Sequence, residues 1–134
     1  MKVHNAFGPV DIAVSGMRAQ GQHMEVISSN IANARTADTG QGQPYRRLET
    51  IFRTEGEGVS GVKVAEVVPD PSAMQRIYDP GHPKADPAGY ITMPNVHLPV
   101  EMMNLTIASR SYQANAAILK RYQKMVETTL ELLR

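Results

Sequence analysis

From Pro99 to Leu133 the chain runs without a glycine or a second proline, and Leu105, Tyr112, Leu119, Val126 and Leu133 recur at strict sevens. Met102, Ser109, Ala116, Gln123 and Leu130 fill the complementary positions, so the pattern predicts a helix with a heptad seam over 99–133. Pro99 suits the first helical turn, where a missing N–H leaves no hydrogen bond unmade. Such a helix is about 52 Å long at 1.5 Å per residue. A compact globule of 134 residues is only roughly 36 Å across. The helix must therefore protrude or lie in a bundle shared with other chains. A second apolar column, Met103, Ile107, Ala114, Ile118, Met125 and Leu132, lies beside the first and makes the stripe wider than a two-helix seam needs. Two arrangements accommodate the excess: contacts with neighbouring subunits, which the width favours, or a small bundle with the middle of the chain laid over this face.

The other flank, residues 10–34, repeats the theme more weakly. Val10, Met17, Met24 and Ile31 recur at sevens, with Ala13, Gln20, Ile27 and Ala34 three residues after each. Gly16 and Gly21 each cost about 1 kcal/mol against Ala in a helix interior, which points to a close backbone approach or to a helix that is weak alone. Seven of the ten glycines and seven of the nine prolines fall in the middle of the chain, which marks residues 35–98 as a β-containing or irregular insertion. Within it Tyr45–Arg53, Gly61–Val68 and Gly89–Met93 read as strands. The fold class expected is mainly α with a small β unit of two or three strands. The helical regions 1–34 and 99–134 form an antiparallel, coiled-coil-like core, and 35–98 is inserted between them.

Chemistry is hard to find. Without cysteine, disulfides, thiol nucleophiles and Cys-ligated metals are excluded. His4, His23, His82 and His97 show no ligand spacing: Pro83 and Pro87 keep His82 and Asp86 off one helical face, and Pro99 separates His97 from Glu101. No phosphate loop, nucleophile elbow or zincin motif is present. A small hydrolase would need a pocket gathering His82, Asp86 and a further titratable group. Neither catalytic residues nor a cofactor or metal site is assigned. Fourteen basic and 13 acidic residues balance to +1, which removes the electrostatic case for nucleic acid. Residues 102–126 do carry Arg110, Lys120, Arg121 and Lys124 with no acidic residue, a solvated edge suited to acidic groups on a neighbour. No apolar run reaches the length of a membrane span, and residues 1–9 lack the apolar region of a cleaved secretory signal. Five Tyr, two Phe and no Trp against eight Met favour burial in long aliphatic seams over aromatic anchors.

Ser15-Gly16-Met17-Arg18-Ala19-Gln20, followed by Ser29-Asn30-Ile31-Ala32-Asn33-Ala34-Arg35-Thr36, resembles the N-terminal signature of bacterial flagellar rod and hook proteins. Tyr78-Asp79-Pro80-Gly81-His82-Pro83-Lys84-Ala85-Asp86-Pro87-Ala88-Gly89-Tyr90 is the most specific block. With Pro94-Asn95-Val96, Glu101-Met102-Met103-Asn104-Leu105 and Ala108-Ser109-Arg110-Ser111-Tyr112-Gln113-Ala114-Asn115, it resembles the proximal rod members of that axial family. The resemblance implies a structural subunit of the flagellar basal body. It further implies export by the flagellar type III apparatus without a cleaved signal and helical assembly in the periplasmic space. The partners implied are other copies, other rod proteins and membrane-ring adaptors, with neither nucleic acid nor membrane insertion. In such proteins the terminal helices pair and pack in the inner layer of the tube, which assigns assembly contacts to Val10, Met17, Met24, Ile27 and Ile31 and to Met102, Leu105, Tyr112, Leu119, Val126, Leu130 and Leu133. The competing reading is a soluble helical adaptor or export chaperone, against which the near-neutral charge and the Pro/Gly-rich centre both count.

Overall fold

The computed structural model describes residues 8–133; Met1 to Phe7, including His4, lie outside the described residues. Two helices frame the molecule, α1 (Pro9–Ala32) and α2 (Leu98–Leu132). Between them come β1 (Leu48–Thr54), β2 (Val62–Pro69), β3 (Gln75–Tyr78) and β4 (Tyr90–Met93). The helix α1 starts with Pro9 in its first turn and with Asp11 accepting from the Gly8 amide at 3.2 Å. It ends at Asn33, whose Nδ2 donates to the Ser29 carbonyl at 2.9 Å. Gly16 lies against Asn115 and Asn30 against Glu101, so the two helices run antiparallel. The architecture is mainly helical with a small β unit, as the hydrophobic pattern predicts.

The β unit differs from the expectation of two or three strands: four strands form two separate antiparallel pairs, β1 with β2 and β3 with β4. The unforeseen strand, Gln75–Tyr78, has no β-branched alternation of its own. It becomes a strand by pairing with β4, from Gln75 opposite Met93 to Tyr78 opposite Tyr90. The first strand begins at Leu48 rather than Tyr45 because the preceding amides are committed elsewhere. Tyr45 N–H donates to the Thr36 carbonyl at 3.0 Å and Arg47 N–H to Asn95 Oδ1 at 2.8 Å. In the β1–β2 ladder Ile51 faces Glu66 and Phe52 faces Val64, leaving Ala65 as a bulge.

The heptad positions of α2 mark its inward face only in part: Leu105, Ser109, Ala116 and Leu119 are half-buried. That face passes through Glu101, Asn104, Ala108, Asn115, Leu119 and Tyr122, buried or half-buried at helical spacing, and it is mostly small or polar. Met102, Tyr112, Val126, Leu130 and Leu133 are exposed. Small side chains let the helix axes approach, and Gly16 shows the limit: a Cβ there would stand 2.8 Å from Asn115 Nδ2. Gly21, the other interior glycine, has nothing within 4 Å. The core is correspondingly thin, with Ala13, Ala19, Ile27, Ile91, Val96 and Ala108 as its buried apolar residues.

Candidate functional site

Where α1, α2 and the β unit meet, the interior is polar. Asn30 and Glu101 are 1% and 0% exposed, and each reaches a different element. The Asn30 amide completes a two-way bond with the Leu48 backbone: Nδ2 donates to the carbonyl and Oδ1 accepts from the N–H, both at 2.9 Å. Oδ1 also accepts from the Tyr45 hydroxyl at 2.9 Å, and Nδ2 also donates to Glu101 Oε2 at 3.2 Å. The other carboxylate oxygen, Oε1, accepts from Arg47 Nε at 2.7 Å. Arg47 Nη1 donates to Glu49 and, at 3.1 Å, to Asp70. Asn95 extends the network, accepting from Arg47 N–H and donating to the Asp70 carbonyl and to Ser72 Oγ. Every buried side-chain nitrogen and oxygen among the described residues has a partner, the condition under which a buried polar network rigidifies a fold. The clasp carries no convergent metal set, and no group of three or more His, Asp or Glu side chains among the described residues forms one.

A cleft of about 230 Å³ opens beside the clasp, lined by His23, Ile27, Asn30, Arg47, Thr50 and Glu101 among others. The His23 ring bonds Thr50 through Nδ1 and meets the Phe52 ring edge-on at 5.3 Å. Burial lowers the His23 pKa below its ordinary 6.5, with nearby Glu101 opposing and Arg47 adding to the shift.

The motif residues have local structural roles. Ser15 Oγ accepts from the Val62 amide at 3.0 Å and so pins β2 to α1, while Gly16 admits α2 and Met17 sits half-exposed beside them. Asn33 caps α1 and Ala32 is exposed. Around Tyr90, the Asp86 carboxylate accepts from the Ala88 and Tyr90 amides at 2.9 Å and from Arg76 at 2.8 Å, which depresses its pKa. His82 Nδ1 accepts from Lys84 N–H at 3.1 Å, and Pro83 is an exposed turn residue next to it. Gly89 has φ +82°, and a Cβ there would stand 2.8 Å from the Tyr78 ring. Asp86 and His82 are thus committed to separate turns, and among the described residues no group of three or more His, Asp or Glu side chains that could hold a metal ion includes them. Ser111 is half-buried toward α1, and Arg110 and Tyr112 point outward.

The assembly candidates divide by burial. Ile27 is 2% exposed and belongs to the core within the chain. Val10, Met17, Met24, Ile31, Leu105 and Leu119 are half-buried. Met102, Tyr112, Val126, Leu130 and Leu133 are exposed, and beside them Met103, Ile107, Ile118 and Met125 of the second column are each at least 50% exposed along most of α2. Sequence reasoning missed Arg47, Asn95 and Glu101 as a connected set. The available signal was Glu101 itself, a lone carboxylate between Pro99-Val100 and Met102-Met103.

Residues 11–38 match the family described as Flagella basal body rod protein. Residues 88–132 match Flagellar basal body rod FlgEFG protein C-terminal. One match covers nearly all of α1 and the other contains α2; Asn30 falls in the first, Glu101 in the second, and Arg47 in neither. The flagellar basal-body rod protein FlgC of Escherichia coli O6:H1 is 43% identical over 91% of this chain and 93% of its own length. That of Agrobacterium fabrum is 41% identical over 92% and 91%, and that of Borreliella burgdorferi 34% identical over 96% and 97%. No helix among the described residues is long and apolar enough to cross a membrane. The relatives are structural rod proteins, neither enzymes nor adaptors, and they match this chain over 91–96% of its length: it belongs to the FlgC family of flagellar basal-body rod proteins, as a structural subunit of the rod that assembles with other rod components.

Proposed function

We propose that this chain builds the proximal rod helically through its two terminal helices and carries torque along the assembled shaft. The observation that carries this reading is the outward apolar face of α2. Met103 and Ile107 are each 57% exposed and Met125 56%, a continuous strip far larger than scattered surface apolar residues make. A helix so poorly covered by its own chain gains much of its burial from neighbours. Regions 1–34 and 99–134 then form the axial core, with 35–98 mounted on it by the clasp. The half-buried Val10, Met17, Met24, Ile31, Leu105 and Leu119 border the intersubunit seams. The exposed Met102, Tyr112, Val126, Leu130 and Leu133 lie in them. Ile27 supports the seam from inside the chain. Family membership supports delivery by the flagellar type III export apparatus without a cleaved signal, assembly in the periplasmic space and contact with membrane-ring adaptors.

Replacing Met103, Ile107 and Ile118 together by Ser tests the assignment. Because these side chains are already in water, unfolding stability changes by about 0.5 kcal/mol or less per site, while rod assembly and motility are lost. Normal rods in the triple variant would overturn the proposed interface.

A further inference from the structure

The β1–β2 hairpin ends in Glu55-Gly56-Glu57-Gly58-Val59-Ser60, a tip on which every residue through Val59 is exposed and Val59 is 85% exposed. The tip is nonetheless held in shape. Glu55 N–H donates to the Gly61 carbonyl at 2.8 Å, and Ser60 Oγ donates to the Gly56 carbonyl at 3.0 Å. Gly61 is buried against Ser15, so closely that a Cβ there would stand 2.4 Å from Ser15 Oγ. Acidic groups and one large apolar side chain are thus presented on a fixed support.

A surface of opposite charge lies elsewhere on the molecule. Lys120, Arg121 and Lys124 are all exposed, and at 3.6 residues per turn they occupy an arc of about 100° on α2. By the same geometry the arc lies about half a turn from Ala108, Asn115 and Leu119, and the apolar pair Ile118 and Met125 borders it. Among the described residues, none of these three cations and neither Glu55 nor Glu57 takes part in an ion pair. The two surfaces of one chain cannot meet, because the hairpin packs on α1 and the basic arc faces away from α1.

We propose that the hairpin tip of one copy docks on the basic arc of α2 in a second copy, Glu55 and Glu57 against Lys120, Arg121 and Lys124, with Val59 on Ile118 and Met125. The contact joins different patches, so it is heterologous and propagates from copy to copy instead of closing on a two-fold axis. It rests on the rod reading and adds a lateral joint of known composition to the apolar seams.

A chain without cysteine permits a clean test. A strain carrying Val59→Cys and Met125→Cys in the one chain is treated with a short bismaleimide, and basal bodies are purified. A ladder of cross-linked multimers of this chain is expected, absent from either single variant. Glu55→Lys with Glu57→Lys lowers the multimer yield about ten-fold, and adding Lys120→Glu with Lys124→Glu restores it. Adducts with a different rod component, background yield, or no rescue by the charge swap would each overturn the joint. Absence of the chain from purified basal bodies would instead overturn the rod reading.

Discussion

Glu101 illustrates how much a single side chain can carry in a thin core. It is fully buried and bonds both Arg47 and Asn30, so Glu101→Ala takes one of three carboxylates from Arg47 and one of two acceptors from Asn30 Nδ2. The loss expected is about 1–3 kcal/mol, a large part of a small domain's stability. Glu101→Gln, which keeps an acceptor, loses less, and chemical denaturation of the two variants checks the order. The glycines give opposite signs. Gly21→Ala meets nothing within 4 Å in a helix interior and stabilises by about 0.5–1 kcal/mol. Gly61→Ala forces Ser15 from the Val62 amide and destabilises by about 1–3 kcal/mol; thermal unfolding of the pair distinguishes them. His23 has a folded pKa below its ordinary 6.5, so the unfolded chain binds the extra proton first. Stability is therefore full above that value and falls as the pH drops through and below 6.5. A thermal midpoint that declines from pH 7 to 5 in the wild type, and declines less in His23→Gln, is the expected result.

At the scale of elements, support along α2 is graded. Its N-terminal part is tied into the clasp at Glu101 and packs through Ala108 and Asn115, while every described residue beyond Tyr122 is exposed. Amide exchange in the free chain should accordingly be slow around 104–116 and fast over 123–132. Equal protection along the whole helix would show that its end is covered within the monomer. The heptad repeat made α2 and its length legible, and Pro99 placed its start to within one residue. The strand β3 was illegible because its stability comes from a partner some 15 residues away instead of from its own alternation. The start of β1 was illegible because the Asn95 side chain and a distant carbonyl, that of Thr36, decide where the ladder begins.

For the whole molecule, the inserted unit is joined to itself by carboxylates. Lys84 and the Gly40 and Gly42 amides hold Asp38 down to a pKa of about 2, which clips the 36–43 loop to the turn before β4. Bonds from Ser72 and from Arg47 lower Asp70, and the Tyr90 amide with Arg76 lowers Asp86. These contributions are present above the ordinary carboxylate range and are lost as pH falls through about 4 toward 2. Circular dichroism on acidification should show β-unit signal lost while helix remains. Truncation after Tyr122 removes a segment in which every described residue is exposed, so the chain should keep its midpoint to within a few degrees. It should nevertheless fail to enter rods, which basal-body purification would detect.

The amino-acid sequence by itself determined the two long helices, the placing of breakers between them and the family signature, because periodicity and breaker chemistry act over neighbouring residues. It also gave α2 an apolar stripe wider than a two-helix seam needs. Only the tertiary structure decided which face turns inward. There, small and polar side chains share the face with only part of the heptad seam, because close helix approach and a buried carboxylate with two partners require them. Most of the apolar columns were left exposed, where a second subunit can reach them.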